Sequence, residues 1–263
     1  MTYRKTVLIT GAGSGIGRAL AVEGGRLGFN LIIVGRTEAT LAATAALVPD
    51  AQTTILVADV TTSQGRALIA DAAGARLDIL INNAGTLSVG HLSDMGDDAL
   101  TRMITTNLTA PIALTRDLLP ALKSAGGRIV NVGSVFGDIA YPFFAGYSAT
   151  KFGLRGFSDA IRRELSGSGV TVTYVAPRAT HTAAESEFSA LIEPMQMTLD
   201  SAERVAAQAW AAILSGKRES FPKGKERIFV KIQRLFPSLI DKSVGAQARD
   251  SKTLSALKPV SRA

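Results

Sequence analysis

The sequence predicts an α/β fold, in which a single domain is built on a doubly wound parallel sheet. Short apolar runs alternate with helical patterns up to about residue 214, and the first run ends in a glycine-rich loop. The length of 263 residues and the 46% of hydrophobic residues suit one large domain with a sizeable core. Right-handed crossovers between the strands then place helices on both faces of the sheet.

The individual elements follow from apolar periodicity and from the residues that cap or interrupt each run. The predicted strands span residues 5–10, 31–34, 54–58, 79–82, 128–132 and 170–175. The predicted helices span residues 16–27, 37–47, 62–73, 97–123, 147–166 and 201–214. Pro111 should disturb the long fourth helix, and residues 48–53 and 183–199 are the least regular stretches.

Composition argues against several kinds of site and partner. The chain has no cysteine and two histidines, so neither disulfides nor a metal site is expected. No apolar run approaches the roughly 20 residues of a membrane-spanning helix, and a cytoplasmic location is expected. The net charge is +7, but residues 215–263 hold 12 of the 29 basic residues and 4 of the 22 acidic ones. The basic excess is therefore a C-terminal property, and no nucleic-acid partner is expected.

The glycine-rich loop follows the first strand and opens the first helix. It reads Thr10-Gly11-x-x-x-Gly15-x-Gly17, which differs from the plain G-x-G-x-x-G spacing. Glycines let a pyrophosphate approach the backbone closely, and the N-terminus of the helix supplies N–H donors. In this strand–loop–helix context the loop predicts nucleotide binding and a Rossmann-type sheet.

The end of the second strand indicates which nucleotide is bound. Domains that bind NAD usually place a carboxylate there for the adenosine ribose, whereas this strand ends Val34-Gly35-Arg36-Thr37. Arg36 can pair with a 2′-phosphate through charge-assisted hydrogen bonds, and Thr37 and Ser14 can add hydroxyls. We therefore predict NADP(H) rather than NAD(H).

A tyrosine and a lysine four residues apart suggest acid–base chemistry. If Tyr147 opens a helix, its side chain and that of Lys151 lie one turn apart on the same face. An ammonium beside a phenol lowers the phenol pKa from about 10, and Ser134 could add a hydroxyl. Such a pair more often lies on a solvated helix face without a catalytic role, so the other motifs must decide whether this pair is catalytic.

With these motifs together, the chain resembles the short-chain dehydrogenase/reductase family over roughly residues 4–221. The matching motifs, in the order of that family, are Thr10-Gly11-x-x-x-Gly15-x-Gly17, Asp59, Asn82-Asn83-Ala84-Gly85, Asn107, Ser134, Tyr147-x-x-x-Lys151, and Pro177 with Thr182. The resemblance implies an NADP(H)-dependent oxidoreductase that interconverts a carbonyl and a secondary alcohol of a small molecule by hydride transfer. It also implies a homo-oligomer, a dimer or a tetramer.

The resemblance further implies a role for each matching residue. Asn107 would hold a water in a proton relay, Ser134 would hydrogen-bond the substrate oxygen, and Tyr147 would be the general acid or base. Lys151 would bind the nicotinamide ribose and lower the pKa of Tyr147. The implied cofactor-binding residues are Gly11, Ser14, Gly15, Ile16, Gly17, Arg36, Thr37, Asp59, Val60, Asn83, Ala84, Gly85, Tyr147, Lys151, Pro177, Thr180 and Thr182.

The sequence departs from the family pattern beside these motifs. The family usually has glycine after Pro177, where this chain has Arg178. We expect a solvated Arg178, although it could also touch a cofactor phosphate or favour an anionic substrate. Gly133 stands where a serine is frequent, and this difference should matter little. His181 lies beside the cofactor loop and is not expected to be catalytic.

Aromatic residues around Tyr147 predict an apolar substrate. The segment that contains them resembles that of family members which act on lipid- or steroid-like carbonyls. Aromatic clusters are more often plain packing, so the pattern is a weak indicator. The substrate loop should be about residues 183–199. The predicted substrate-binding residues are Val135, Phe136, Tyr141, Phe143, Phe144 and Phe188.

The catalytic domain should span residues 1–222, followed by two C-terminal segments. Residues 223–242 are predicted to be a basic amphipathic helical extension interrupted at Pro237, and residues 243–263 a flexible tail. A basic amphipathic helix can lie weakly on a membrane surface, or it can pack on the domain or on a second subunit. We favour packing, and therefore expect little sedimentation with vesicles.

A protein without catalytic activity is the alternative to the enzyme. A nucleotide-binding regulator or scaffold could keep this fold and lose the chemistry. Such a protein would not need Asn107, Ser134, Tyr147 and Lys151 together, and all four are present. The enzyme is therefore the preferred hypothesis.

Overall fold

The computed structural model describes residues 4–224 and 226–257, and it confirms the predicted doubly wound sheet. The strands are β1 (Thr6–Thr10), β2 (Asn30–Gly35), β3 (Thr53–Val57), β4 (Ile79–Asn82), β5 (Arg128–Val132), β6 (Thr171–Val175), β7 (Thr180–His181), β8 (Asp200–Ser201) and β9 (Glu219–Ser220). Seven of them form a parallel sheet in the order β3-β2-β1-β4-β5-β6-β9, while β7 and β8 pair separately. All carboxyl ends of the large sheet therefore point to one edge.

Helices cover both faces of the sheet. They are α1 (Gly15–Arg26), α2 (Glu38–Ala45), α3 (Ser63–Ala73), α4 (Asp97–Ile104), α5 (Ala110–Ala125), α6 (Ala145–Glu164), α7 (Ala202–Leu214), α8 (Glu226–Leu235), α9 (Pro237–Arg249) and α10 (Ser251–Ala256). Within the described ranges, no helix combines the length and the apolar composition that crossing a bilayer requires. The cytoplasmic location stays a prediction.

Two apolar layers hold the helices to the sheet. On one face, α1 and α7 pack on the central strands, where Trp210 is buried, stacks on Phe29 at 5.0 Å and donates from Nε1 to the Leu20 carbonyl. On the other face, residues of α3, α5 and α6 such as Ile69, Leu118 and Ile161 are buried. Burial of this apolar surface is the main favourable contribution to folding.

The long helix predicted over residues 97–123 contains a π turn over Thr105–Thr109, which separates α4 from α5. Pro111 explains the interruption, because proline has no N–H to donate to the carbonyl of Asn107, its α-helical partner. The turn buries the Asn107 side chain, which is 1% exposed. The predicted disturbance near Pro111 is therefore a change of helix type that places one polar residue in the interior.

The flexible tail predicted over residues 243–263 is wrong for the part that the structure describes. Residues up to Arg249 belong to α9, and Asp250 caps α10 by accepting from the backbone N–H of Thr253 at 3.0 Å. Thr253 is fully buried. The segment packs against residues 183–199, the predicted substrate loop, where Leu257 contacts the apolar cluster around Leu191. Lys225 of the extension and residues 258–263 of the tail lie outside the described residues.

Candidate active site

A cleft of about 560 Å³ opens at the carboxyl edge of the sheet. Every residue that the sequence assigned to cofactor binding lines this cleft, from Gly11 in the glycine loop to Thr182 beyond β6. In open α/β sheets this edge is where ligands bind. The cleft therefore brings together residues that are up to 171 positions apart in the chain.

The glycine loop adopts a conformation that requires its glycines. Gly11 and Gly15 have φ angles of +65° and +51°, a region that side chains with a Cβ rarely occupy. A Cβ on Gly17 would lie 2.1 Å from the Gly11 carbonyl oxygen. Arg18, which the sequence analysis did not single out, holds the loop by donating to the Gly13 carbonyl at 2.6 Å. The loop is thus pre-formed as a cradle for a group that approaches the backbone.

The ends of β1 and β4 are joined by side-chain hydrogen bonds beneath the cradle. The Thr10 hydroxyl accepts from the backbone N–H groups of Asn83 and Ala84, both at 3.0 Å. The Asn83 amide donates in return to the Thr10 carbonyl at 2.9 Å. These bonds fix the wall of the cleft formed by residues 83–85.

Arg36 and Asp59 stand at the other end of the cleft. Arg36 is exposed at the end of β2. Burial alone would raise the pKa of Asp59, but hydrogen bonds from Thr61 and the charge of Arg36 hold that pKa below its ordinary value. Asp59 is therefore a carboxylate already bonded to Thr61, while the guanidinium of Arg36 stays available to an anion.

Tyr147 and Lys151 share one face of α6, which begins at Ala145, two residues before the predicted start. Lys151 is buried, and its Nζ donates to the Val132 carbonyl at 3.0 Å. The same nitrogen lies 5.5 Å from the centroid of the Tyr147 ring. The ammonium is therefore close to the tyrosine ring, while its hydrogen bond goes to the Val132 carbonyl of β5.

The pKa of Tyr147 moves in the opposite direction from the one expected. Burial raises the pKa of Tyr147 to about 12, and a hydrogen bond with Ser134 offsets this only in part. Burial also lowers the pKa of Lys151 to about 8. The expected lowering of the Tyr147 pKa is thus wrong for this structure, because removal from water outweighs the hydrogen bond with Ser134. At neutral pH the phenol keeps its proton.

Asn107 lies behind the cleft and does not line it. Its Oδ1 accepts from the Thr86 N–H at 2.8 Å, and its Nδ2 donates to the Thr86 carbonyl at 2.8 Å and to the Thr150 hydroxyl at 3.2 Å. The Thr150 hydroxyl donates to the Tyr147 carbonyl at 2.8 Å. The Asn107 side chain therefore ties the loop after β4 to the helix that carries Tyr147.

Ser134 is held by a buried tyrosine that sequence analysis missed. The Tyr174 hydroxyl lies 3.3 Å from both the N–H and the carbonyl of Ser134 and 3.5 Å from the Lys151 carbonyl. Gly133 makes room for this ring, since a Cβ there would lie 2.1 Å from the Tyr174 hydroxyl oxygen. The absence of a serine at residue 133 therefore matters more than expected.

We expect Gly133→Ser to destabilise the protein by about 1–3 kcal/mol, because it overpacks a fully buried ring. Urea unfolding measures the change in free energy of unfolding. Gly156→Ala is the matched control, because a Cβ at this exposed position of α6 meets no atom within 4 Å. The control should be neutral or stabilising by roughly 0.5–1 kcal/mol. Equal destabilisation by both changes would contradict the packing argument.

Arg178 is not solvated, contrary to the expectation. Its guanidinium donates to both carboxylate oxygens of Asp200 at 2.9 and 2.8 Å, and to Glu226 at 2.7 Å. The side chain of Asp200 is 2% exposed. Arg178 also lines the cleft. It therefore joins the loop after β6 to β8 and to the first C-terminal helix.

Half of the predicted substrate-binding residues line the cleft. Phe136, Phe144 and Phe188 do so, and Leu87 and Met197 join them. The other three do not: Tyr141 stacks on Phe136 at 4.7 Å, Phe143 packs edge-on against His91, and Val135 lies in the 3₁₀ turn after Ser134. His181 is exposed and pairs with Glu185 at 3.0 Å.

Comparisons with known proteins agree with this geometry. The family model described as short chain dehydrogenase matches residues 5–191. The chain is 31% identical over 227 residues to a 3beta-hydroxysteroid dehydrogenase of Mediterraneibacter gnavus, covering 83% of this chain and 82% of that protein.

Solved structures with bound cofactors share the fold. A short-chain dehydrogenase from Sphingobium yanoikuyae, in complex with NADPH, is 30% identical with a TM-score of 0.77, covering 94% of this chain and 96% of that one. A 3-ketoacyl-(acyl-carrier-protein) reductase from Brucella melitensis, complexed with NADH, is 26% identical with a TM-score of 0.74, covering 80% and 90%. The family model covers most of the chain, so this protein belongs to the short-chain dehydrogenase/reductase family of oxidoreductases, which act on hydroxyl and carbonyl groups.

Proposed function

We propose that the protein is an NADP(H)-dependent oxidoreductase that interconverts a carbonyl and a secondary alcohol on a small apolar substrate. One observation carries this proposal: Ser134, Tyr147 and Lys151 line the same cleft as the glycine loop and Arg36. A group that binds along the loop and reaches the end of β5 would meet all of them.

The residues present fit a dinucleotide cofactor. The glycine loop has a shape that a Cβ at Gly11 or Gly17 would disturb, because each Cβ would clash with neighbouring atoms of the protein. This loop suits a pyrophosphate at the N-terminus of α1. Arg36 would pair with the 2′-phosphate, Thr182 would hold the nicotinamide end, and Lys151 would hold its ribose. When bound, the cofactor supplies the hydride.

The chain's own groups would supply the proton and the electrostatic stabilisation. Because Tyr147 keeps its proton at neutral pH, its hydroxyl would be available as the general acid in carbonyl reduction. The Ser134 hydroxyl would donate to the same substrate oxygen, where negative charge develops in the transition state. Asn107 would position Tyr147 through Thr150, and a water in a proton relay beside it stays part of the proposal.

An apolar substrate is supported by the aromatic wall of the cleft. Phe136 meets Phe144 edge-on at 5.0 Å, and Phe188 is buried in the same cluster. The name of the Mediterraneibacter gnavus relative, a 3beta-hydroxysteroid dehydrogenase, points to a steroid- or lipid-like molecule. The test is NADPH oxidation, followed by absorbance, with a panel of hydrophobic ketones and aldehydes. Tight NADPH binding without turnover on any of them would support the non-catalytic alternative.

The choice of NADP(H) rests on Arg36, and we expect Arg36→Asp to reverse it. The change removes a cation and adds an anion beside the 2′-phosphate. NADPH binding should weaken by about 100-fold or more, because two charge-assisted hydrogen bonds are lost. Titration calorimetry compares the dissociation constants for NADPH and NADH. NADH binding should change much less, and equal weakening of both would contradict the assignment. Arg26→Asp, at an exposed residue outside the cleft, is the control.

A homo-oligomer is proposed through the long helices. Three large apolar side chains are exposed on their surface, Ile104 of α4, Ile112 of α5 and Phe152 of α6, at 40%, 37% and 42%. Exposed apolar residues on neighbouring helices suit a subunit interface. Static light scattering measures the mass in solution.

A further inference from the structure

The C-terminal helix α8 is fixed on the domain by one of its sides. Glu226 pairs with Arg178 at 2.7 Å, and Arg234 pairs with Asp138 at 2.9 Å. Val230, between these two residues, is buried and packs with Ile139 and Ile240. The orientation of α8 is therefore set, and so is the surface that it turns outward.

That outward surface is apolar. Five large side chains on α8 and at the start of α9 remain exposed, by between 41% and 71%. We call them the outer stripe: Ile228, Phe229, Leu235, Phe236 and Leu239. Single exposed apolar residues are common, but five within twelve positions are a patch of the kind that binds another surface.

Basic side chains surround the outer stripe. Lys231 lies three residues after Ile228 and four before Leu235, so it occupies the same helix face. Arg227 and Lys242 are also exposed close by in the sequence. Of the acidic residues between positions 226 and 242, Glu226 is held by Arg178, which leaves Asp241 exposed. The surface is thus apolar and positively charged at once.

We propose that the outer stripe docks on an anionic lipid bilayer. Apolar side chains of an amphipathic helix enter the boundary between headgroups and acyl chains, while long basic side chains reach back to the headgroups. A second copy fits less well, because a two-fold contact between two outer stripes would bring the basic residues around both stripes close together. The sequence alone favoured packing of the whole segment and little vesicle binding. In the structure, one side of the segment packs on the domain, and the other side is exposed.

The test is flotation of the full chain with liposomes. We expect more protein to float with liposomes containing about 30% phosphatidylserine than with pure phosphatidylcholine, because anionic lipid attracts basic residues. Raising the salt from about 0.1 M to about 0.5 M should reduce binding, because it screens this attraction. Binding that does not depend on phosphatidylserine would overturn the proposal.

Two variants separate the apolar and the charged contributions. Lys231→Gln should lower the partition coefficient about fivefold, the usual value for one basic residue at an anionic surface. Leu235→Ser with Phe236→Ser should lower it further on both kinds of liposome. The controls are Leu47→Ser and Lys123→Gln, at exposed residues just after α2 and on α5. Both should leave the partition coefficient unchanged.

The second copy is the competing occupant. If the outer stripe joined two subunits, Leu235→Ser with Phe236→Ser would lower the mass measured by light scattering, and the wild type would not float. That result would overturn the proposal. Unchanged mass together with lost flotation would support the bilayer. Equal losses in the control variants would also overturn it.

Discussion

Tyr147→Phe abolishes most turnover and leaves NADPH binding nearly intact: this is the expected result with the largest effect on activity. The substitution removes only the hydroxyl that would protonate the substrate oxygen, and general acid catalysis contributes about 10²- to 10⁴-fold in rate. Initial rates of NADPH oxidation measure turnover, and titration calorimetry measures binding. The partly buried ring stays, so the fold and the cleft should be unchanged.

A matched control exists in the same cluster. Tyr141 stacks on Phe136 but does not line the cleft, so Tyr141→Phe removes a hydroxyl of the same kind from outside the site. We expect Tyr141→Phe to keep the rate within about a factor of two, since its hydroxyl has no role in proton transfer. If Tyr147→Phe retained the wild-type rate, another group would have to supply the proton. If both variants lost the rate alike, the loss would come from packing.

Arg178→Ala has the largest expected effect on stability. It removes the partner of Asp200, whose side chain is 2% exposed, and frees Glu226. Breaking a buried ion pair by removing one partner costs about 3–5 kcal/mol. We expect about 3 kcal/mol, the low end of that range, since Arg204 remains 3.5 Å from Asp200. Urea unfolding measures the loss.

A second substitution separates the buried charge from lost packing. Asp200→Asn in the Arg178→Ala background removes the buried carboxylate that has lost its bidentate partner, so it should restore much of the stability. Arg116→Ala is the surface control, because the Arg116 side chain is 71% exposed and pairs with Asp117. Such exposed pairs contribute about 0–1 kcal/mol. A loss no larger than that of the control would mean that Arg178 is solvated after all.

Much of the fold and the position of the candidate cleft could be predicted from the sequence because the signals are local. The glycine loop, the end of β2 and the pair in α6 each place their residues within a few positions. Parallel strands then bring these segments to one edge of the sheet, so assembly follows from topology. This is why Gly11, Arg36 and Lys151 all line one cleft.

The features that were missed depend on partners distant in the chain. Arg178 was expected to be solvated because its partners are 22 and 48 residues away. The Tyr174 hydroxyl is hydrogen-bonded to Ser134, which is 40 residues away in the chain, and no local sequence pattern predicts that contact. Leu257 rests on the substrate loop although its own neighbours are small and polar. In each case, packing between distant segments decides the outcome.

The expected pKa of Tyr147 failed for a related reason. Spacing on a helix shows that Lys151 is near, but it does not show how far both groups are removed from water. Burial raises the pKa of the phenol and lowers that of the ammonium. The sequence indicates the pair of groups, while the surrounding packing determines which of them carries charge.

The π turn before α5 also determines which side of that helix meets the sheet. Successive side chains of an α-helix point about 100° apart around its axis. A turn that holds one extra residue therefore changes, by about that angle, the direction in which each side chain of α5 points. Leu114 and Leu118 are buried in that rotated setting. The turn therefore accommodates one residue more than an α-helical path would, without loss of the core. Deleting one residue from Thr105–Thr109 would convert the π turn to a regular α-helix and leave Leu114 and Leu118 facing the sheet. Asn107 would then lose its buried position.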